Sequence, residues 1–242
     1  GQLEDAENIY REIYIATGEI TALLGLERTL TSLNRFEELE TYLRSYLKRD
    51  SSQLGIKKSL ARCLFNQGKN GEAVNILFKM MDDGPANPAF IKSIANEFFA
   101  FSHYDKAIIV YQNARKKLKD NIIFDSELAF LYNLRQDYTN AIREYFNFLD
   151  REPSARSNVE YNILKMGKTQ DEKNRIADIL KIHVNMDIKN NNKWNIYCLY
   201  LYKGGIMERA SEEYLKYSIR TGKPEIYFGY AKMCFADGFF DE

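Results

Sequence analysis

Two histidines, three cysteines and one Gly-Lys-Thr run are the groups through which this 242-residue chain could make and break bonds. His103 and His183 are the residue type for proton transfer or metal ligation. Neither has a partner placed by a motif, so both read as structural or solvated. Cys63, Cys198 and Cys234 are unevenly spaced, form no CxxC and have no nearby histidine, which suits buried thiols in a reducing compartment and favours the cytoplasm. The run Gly167-Lys168-Thr169 follows "YNILKM", which lacks both the first glycine and the apolar strand of a phosphate-binding loop. Gly204 and Gly205 read as a turn. Catalytic, cofactor-binding and metal-ligating residues are therefore not expected, and the chain reads as a non-enzyme.

The remaining chemistry is recognition. Arg28, Lys58, Arg62 and Lys92 recur along the first half with Asn96 and the aromatics Phe65, Phe99 and Phe130 interleaved. Cations beside apolar anchors suit a protein or peptide ligand that carries acidic and apolar residues. The plain alternative is a set of solvated charges and scattered surface aromatics. Composition narrows the partner further. The 34 basic and 34 acidic residues cancel, so no basic domain points to nucleic acid, and 45% apolar content is ample for a core. Apolar runs fall short of the roughly 18 residues of a membrane span.

The elements that must position these residues are helices. With 4 Pro, 13 Gly and no sustained apolar/polar alternation, the chain reads as nearly all helix. Aligning "EDAENIYREI", "EELETYLRSY", "GEAVNILFKM", "DKAIIVYQNA" and "TNAIREYFNF" places an anchor at Ala6, Leu39, Ala73, Ala107 and Ala141, with spacings of 33, 34, 34 and 34. A large apolar residue follows each anchor by four: Tyr10, Leu43, Leu77, Tyr111 and Tyr145. A second helical set precedes it, for example Ile91, Ile94, Ala95 and Phe98 before Ala107. Each unit is thus two amphipathic helices, with a small residue where they cross and large ones to either side.

This pattern resembles the tetratricopeptide repeat family, whose units are 34-residue helix pairs. The resemblance covers residues 1–153, including Pro153 where such a repeat ends, and returns at Trp194, Gly205 and Ala210. It implies an all-α, right-handed superhelical solenoid of antiparallel helix pairs. Stacking is also required physically, since a lone helix pair cannot bury both its faces. The expected organisation is a regular array over 1–153, a degenerate repeat or joint over 154–193, and a resumed array over 194–242. The joint offers only Ala177, at a 36-residue spacing. Both ends look cut mid-repeat, with Gly1 at a turn and Glu242 where a second helix should begin, so self-association through exposed repeat ends is a further expectation.

In such superhelices the stripe one step round from the packing face of each first helix lines a concave groove. Here the stripes are Leu24, Arg28 and Thr31; Lys58, Arg62 and Phe65; Lys92, Asn96 and Phe99; and Ser126, Phe130 and Asn133. The cations among them are expected to be exchangeable without disturbing the core. Chaperone-binding members of the family hold a C-terminal carboxylate with a Lys and Asn four apart. Lys92 and Asn96 match that pair, but Ser126 and Glu127 stand where the next Asn is wanted, so the clamp is incomplete. The leading reading is a non-catalytic scaffold that binds a peptide or protein in the groove. The alternative is a regulatory or substrate-recruiting repeat segment of a larger enzyme whose catalytic domain lies elsewhere.

Overall fold

The computed structural model describes residues 1–238, and every regular element among them is a helix. The expectation concerning Glu242 lies outside the described residues. The chain divides into two compact units, residues 1–119 and 120–242. The first holds α1 (Gln2–Thr17), α2 (Ile20–Ser32), α3 (Phe36–Arg49), α4 (Leu54–Asn66), α5 (Asn70–Asp83), α6 (Pro88–Ala100) and α7 (Tyr104–Leu118), each packed on the next. The second holds α8 (Asp125–Leu134), α9 (Tyr138–Arg151), α10 (Arg156–Leu164), α11 (Gln170–Met186), α12 (Asn191–Lys203), α13 (Met207–Thr221) and α14 (Pro224–Ala236), with a 3-10 turn at Pro153–Ala155.

Local chemistry sets the helix starts. Pro88 opens α6, and the Asn87 side chain accepts from the Phe90 amide at 2.9 Å. Asp137 caps α9 in the same manner, and Thr169 with Glu172 forms a reciprocal capping box on α11. The anchors then meet at the crossings: Ala73, Ala107, Ala141, Ala177 and Ala210 are fully enclosed, with Leu43, Leu77, Tyr111, Tyr145 and Tyr214 buried four residues on from their own anchors. Ala6 is only half-buried. There the close approach passes to Gly25, since a Cβ on that residue would lie 2.4 Å from the Tyr10 ring.

The turn inside each pair repeats one geometry. Asn34, Gly68, Ser102, Gln136 and Gly205 all adopt the left-handed conformation, with φ between 56° and 75°. The next residue's N–H then donates to the carbonyl five positions back: Arg35 to Leu30, Lys69 to Leu64, His103 to Phe98, Asp137 to Tyr132 and Ile206 to Leu201, at 2.8–2.9 Å. This closing bond satisfies a helix-end carbonyl and sets the rotation of the second helix against the first. The four earliest turns are spaced by 34 residues. The register then slips: the next two left-handed positions are Gly167, between the nine-residue α10 and the seventeen-residue α11, and Gly205, between α12 and α13.

A polar seam joins successive second helices in the first unit. The Glu40 carboxylate accepts from Arg44 Nε at 2.7 Å, Lys69 Nζ at 2.7 Å and Gln67 Nε2 at 2.9 Å. Burial pushes its pKa up, and the hydrogen bonds from Lys69, Arg44 and Gln67 outweigh that and hold it at about 2.

Two outcomes follow. Three of the five turn positions carry a side chain in a conformation that costs an L-residue about 1–2 kcal/mol. Gly68→Ala is therefore expected to lower unfolding free energy by about 1 kcal/mol and Gln136→Gly to raise it by about 0.5 kcal/mol, measured by urea titration. The same sign for both substitutions would contradict the turn geometry. For Glu40, a depressed folded-state pKa means a stabilisation that is complete above the unfolded value of 4.5 and fades as pH falls toward about 2. Glu40→Gln should lower the melting temperature at pH 7, and the gap from wild type should close over that acid range.

Candidate functional site

The 34-residue register places Leu24, Arg28 and Thr31 of α2 beside Lys58 and Arg62 of α4, where with Ile20, Ile56 and Ser59 they line an open cleft of about 620 Å³. Arg28 is exposed, Leu24 is 39% exposed and Lys58 is half-buried. Glu27 also lines the cleft, and α6 supplies Glu97 from the next repeat. Glu97 is buried, at 4% exposure, and accepts two bonds of 2.6 Å from Arg62 Nε and Nη2. Lys58 Nζ lies 3.6 Å from the same carboxylate. The hydrogen bond from Arg62 to Glu97 is the main reason the Arg62 pKa rises. Three cations thus face two carboxylates, leaving a single net positive charge.

The pairing corrects one expectation. Arg62 is an inter-repeat strut as well as a wall residue, because its fork satisfies a carboxylate that water cannot reach. Apolar periodicity offered no signal for Glu97. The only trace in the sequence is its position 35 residues after Arg62.

The aromatics separate into two roles. Phe65 does not stand open in the stripe. It is 6% exposed, stacks on Phe101 with centroids 4.7 Å apart, lies 4.9 Å from the His103 ring, and meets Phe98 edge-on at 6.3 Å. The crowded run "NEFFAFSHY" resolves accordingly: Phe98 sits in the core, Phe101 covers Phe65 of the preceding repeat, and Phe99, 40% exposed, lies 5.7 Å from Tyr104. Lys92 and Asn96 are exposed on α6. Phe130, 44% exposed, belongs to α8 in the second unit.

The reactive types occupy packing positions. His183 lies edge-on to Phe146 at 5.7 Å, and burial, then Lys193 and Arg143, lower its pKa. Cys63 donates its Sγ–H to the Phe36 carbonyl, and burial pushes its thiol up to about 11, far from the thiolate a nucleophile needs. Among the described residues no group of three or more His, Cys, Asp or Glu side chains could hold a metal ion, and no helix is long and apolar enough to cross a membrane.

No model of a known protein family matches the chain, and no curated protein matches it. Among solved structures it is similar to the C-terminal part of a TPR repeat-containing protein from Cytophaga hutchinsonii, at 12% identity and TM-score 0.49, over 93% of this chain and 86% of the other. It is likewise similar to a tetratricopeptide repeat protein from Parabacteroides merdae, at 12% identity and TM-score 0.43, over 94% and 90% of the two chains. The chain's own geometry carries the class: its helix pairs are tetratricopeptide-like in their 34-residue turn spacing, enclosed crossing alanines and successive packing.

Arg62→Ala strips Glu97 of its fork and leaves a buried carboxylate poorly matched. The expected loss is about 1–3 kcal/mol in chemical denaturation, below a fully buried pair because half of the Arg62 side chain meets water. Arg28→Ala should change stability by under about 0.5 kcal/mol. Equal effects of the two would contradict the strut.

Proposed function

We propose that this chain is a non-catalytic scaffold for protein–protein interaction. Its α2–α4 cleft and the adjoining face of α6 would receive an extended peptide segment bearing acidic and apolar side chains. The observation that carries this reading is the cleft itself: about 620 Å³, walled by Arg28, Lys58 and Arg62, with the apolar Leu24 among them. A ligand carboxylate there would meet Lys58 and Arg62, which Glu97 already holds in place, so those two side chains have little freedom left to lose on binding. An apolar ligand residue would cover Leu24, and Lys92, Asn96 and Phe99 on α6 extend the same helical stripe within the first unit. Phe65 supports the wall from behind through its stack with Phe101. Phe130 would act as an exposed anchor of the second unit.

The test is a set of fluorescent twelve-residue peptides, acidic-aromatic, neutral-aromatic and basic-aromatic, titrated by polarisation. The acidic-aromatic set is expected to bind tightest and to weaken as salt rises. Arg28→Glu and Lys58→Gln should each reduce its affinity about tenfold, with the melting temperature held in Arg28→Glu. Phe99→Ala should cost about 1–2 kcal/mol. Equal affinity for acidic and basic peptides, or indifference to both charge substitutions, would overturn the proposal.

A further inference from the structure

A second recurrence lies at the ends of the second helices. Positions 49, 83, 117 and 151 follow the 34-residue register and carry Arg49, Asp83, Lys117 and Arg151. The three basic members reach back and clasp the connection before their own repeat. Arg49 Nη2 donates to the Gly18 carbonyl at 3.1 Å, Lys117 Nζ to the Met81 and Asp82 carbonyls at 3.1 Å each, and Arg151 Nη1 to the Ile122 carbonyl at 3.1 Å. The Lys117 bonds satisfy carbonyls in the last turn of α5, and the Arg49 and Arg151 bonds hold carbonyls of the α1–α2 and α7–α8 connections.

Asp83 breaks the series, because a carboxylate cannot donate to a carbonyl. The connection it should hold, residues 50–53, is organised by its own Asp50, which accepts from the Ser52 amide and hydroxyl and from Gln53. Between the ends of α3 and α5 a cleft of about 540 Å³ remains, floored by Leu60 and Met80 and walled by Leu47 and Ile76. Lys48, Lys57 and Lys79 stand on its lining. None of these three lysines joins an ion pair among the described residues. Arg44, also at the cleft, is engaged by Glu40 and Glu72, so Asp83 alone opposes the three ammonium groups.

We propose that this cleft is a binding site for a small amphipathic anion, an alkyl or aryl body carrying one carboxylate or phosphate. The volume lies within the ordinary range of small-ligand pockets. The floor takes the apolar body, and the lysines, flexible and strongly hydrated point charges, meet a terminal anionic head without demanding a planar partner. This site shares no residue with the α2–α4 cleft and stands independently of the peptide reading.

The experiment titrates decanoate, decyl phosphate, decanol and decyltrimethylammonium into the full chain, each below its micelle concentration, following methyl-labelled Met80 by NMR. The two anions are expected to shift the Met80 methyl saturably, with decanol at least about tenfold weaker and the cationic amphiphile without effect. Lys48→Ala and Lys79→Ala should each weaken decanoate about threefold to tenfold at unchanged melting temperature. Asp83→Asn removes the one opposing carboxylate of the lining and should tighten decanoate binding about threefold. Decanol binding as tightly as decanoate, decanoate binding weakened by Asp83→Asn, or a Met80 methyl that does not move with either anion would each overturn the site.

Discussion

One backbone hydrogen bond sets the terms for the rest of this molecule: the N–H after each left-handed turn residue, donated to the carbonyl five positions back. It fixes where the second helix of a pair starts and how it is rotated, so the anchor four positions further on arrives at the crossing: Leu39 in the first of the five turns, an alanine in the other four. The first four such turns fall every 34 residues, at Asn34, Gly68, Ser102 and Gln136. Each side chain one helical step from the core therefore finds its counterpart in the neighbouring repeat. The α2–α4 cleft and the α3–α5 cleft are two readouts of that single register.

Charge refines what the register allows. Glu97 is carried into the interior by its place between Ala95 and Phe98, where Arg62 and Lys58 from the preceding repeat meet its carboxylate. Glu40 plays the equivalent part between α3 and α5, with Arg44, Lys69 and Gln67 as donors. Such struts connect repeats that apolar packing alone would leave free to slide. They also remove charge from the surface, so the cleft is less basic than a count of lysines and arginines suggests.

Much of this was legible in the chain. The alanine spacing located the crossings, and each of Ala73, Ala107 and Ala141 is fully enclosed. The stripe one step round the helix located Arg28, Lys58 and Arg62, which line one cleft. Phe65 was not legible, because its burial depends on Phe101, a helix-end residue of the next repeat whose direction a helical wheel does not specify. Glu97 was hidden for the opposite reason: a carboxylate at an inward position breaks the apolar pattern, and its partner stands on a different helix. The turns near 102 and 136 fall where the repeat spacing expects them, but Ser102 and Gln136 hid their left-handed conformation, since neither residue type announces a positive φ as glycine does.

The most direct measurement places a benzophenone side chain at position 24, inside the α2–α4 cleft, or at position 109, exposed on α7, and photo-crosslinks the acidic-aromatic peptide that binds wild type best. Crosslinking is expected from position 24, competed by unlabelled peptide, with only background from position 109. Crosslinking from position 109 alone, or equally from both, would show that the register-built cleft is not where this chain receives its ligand.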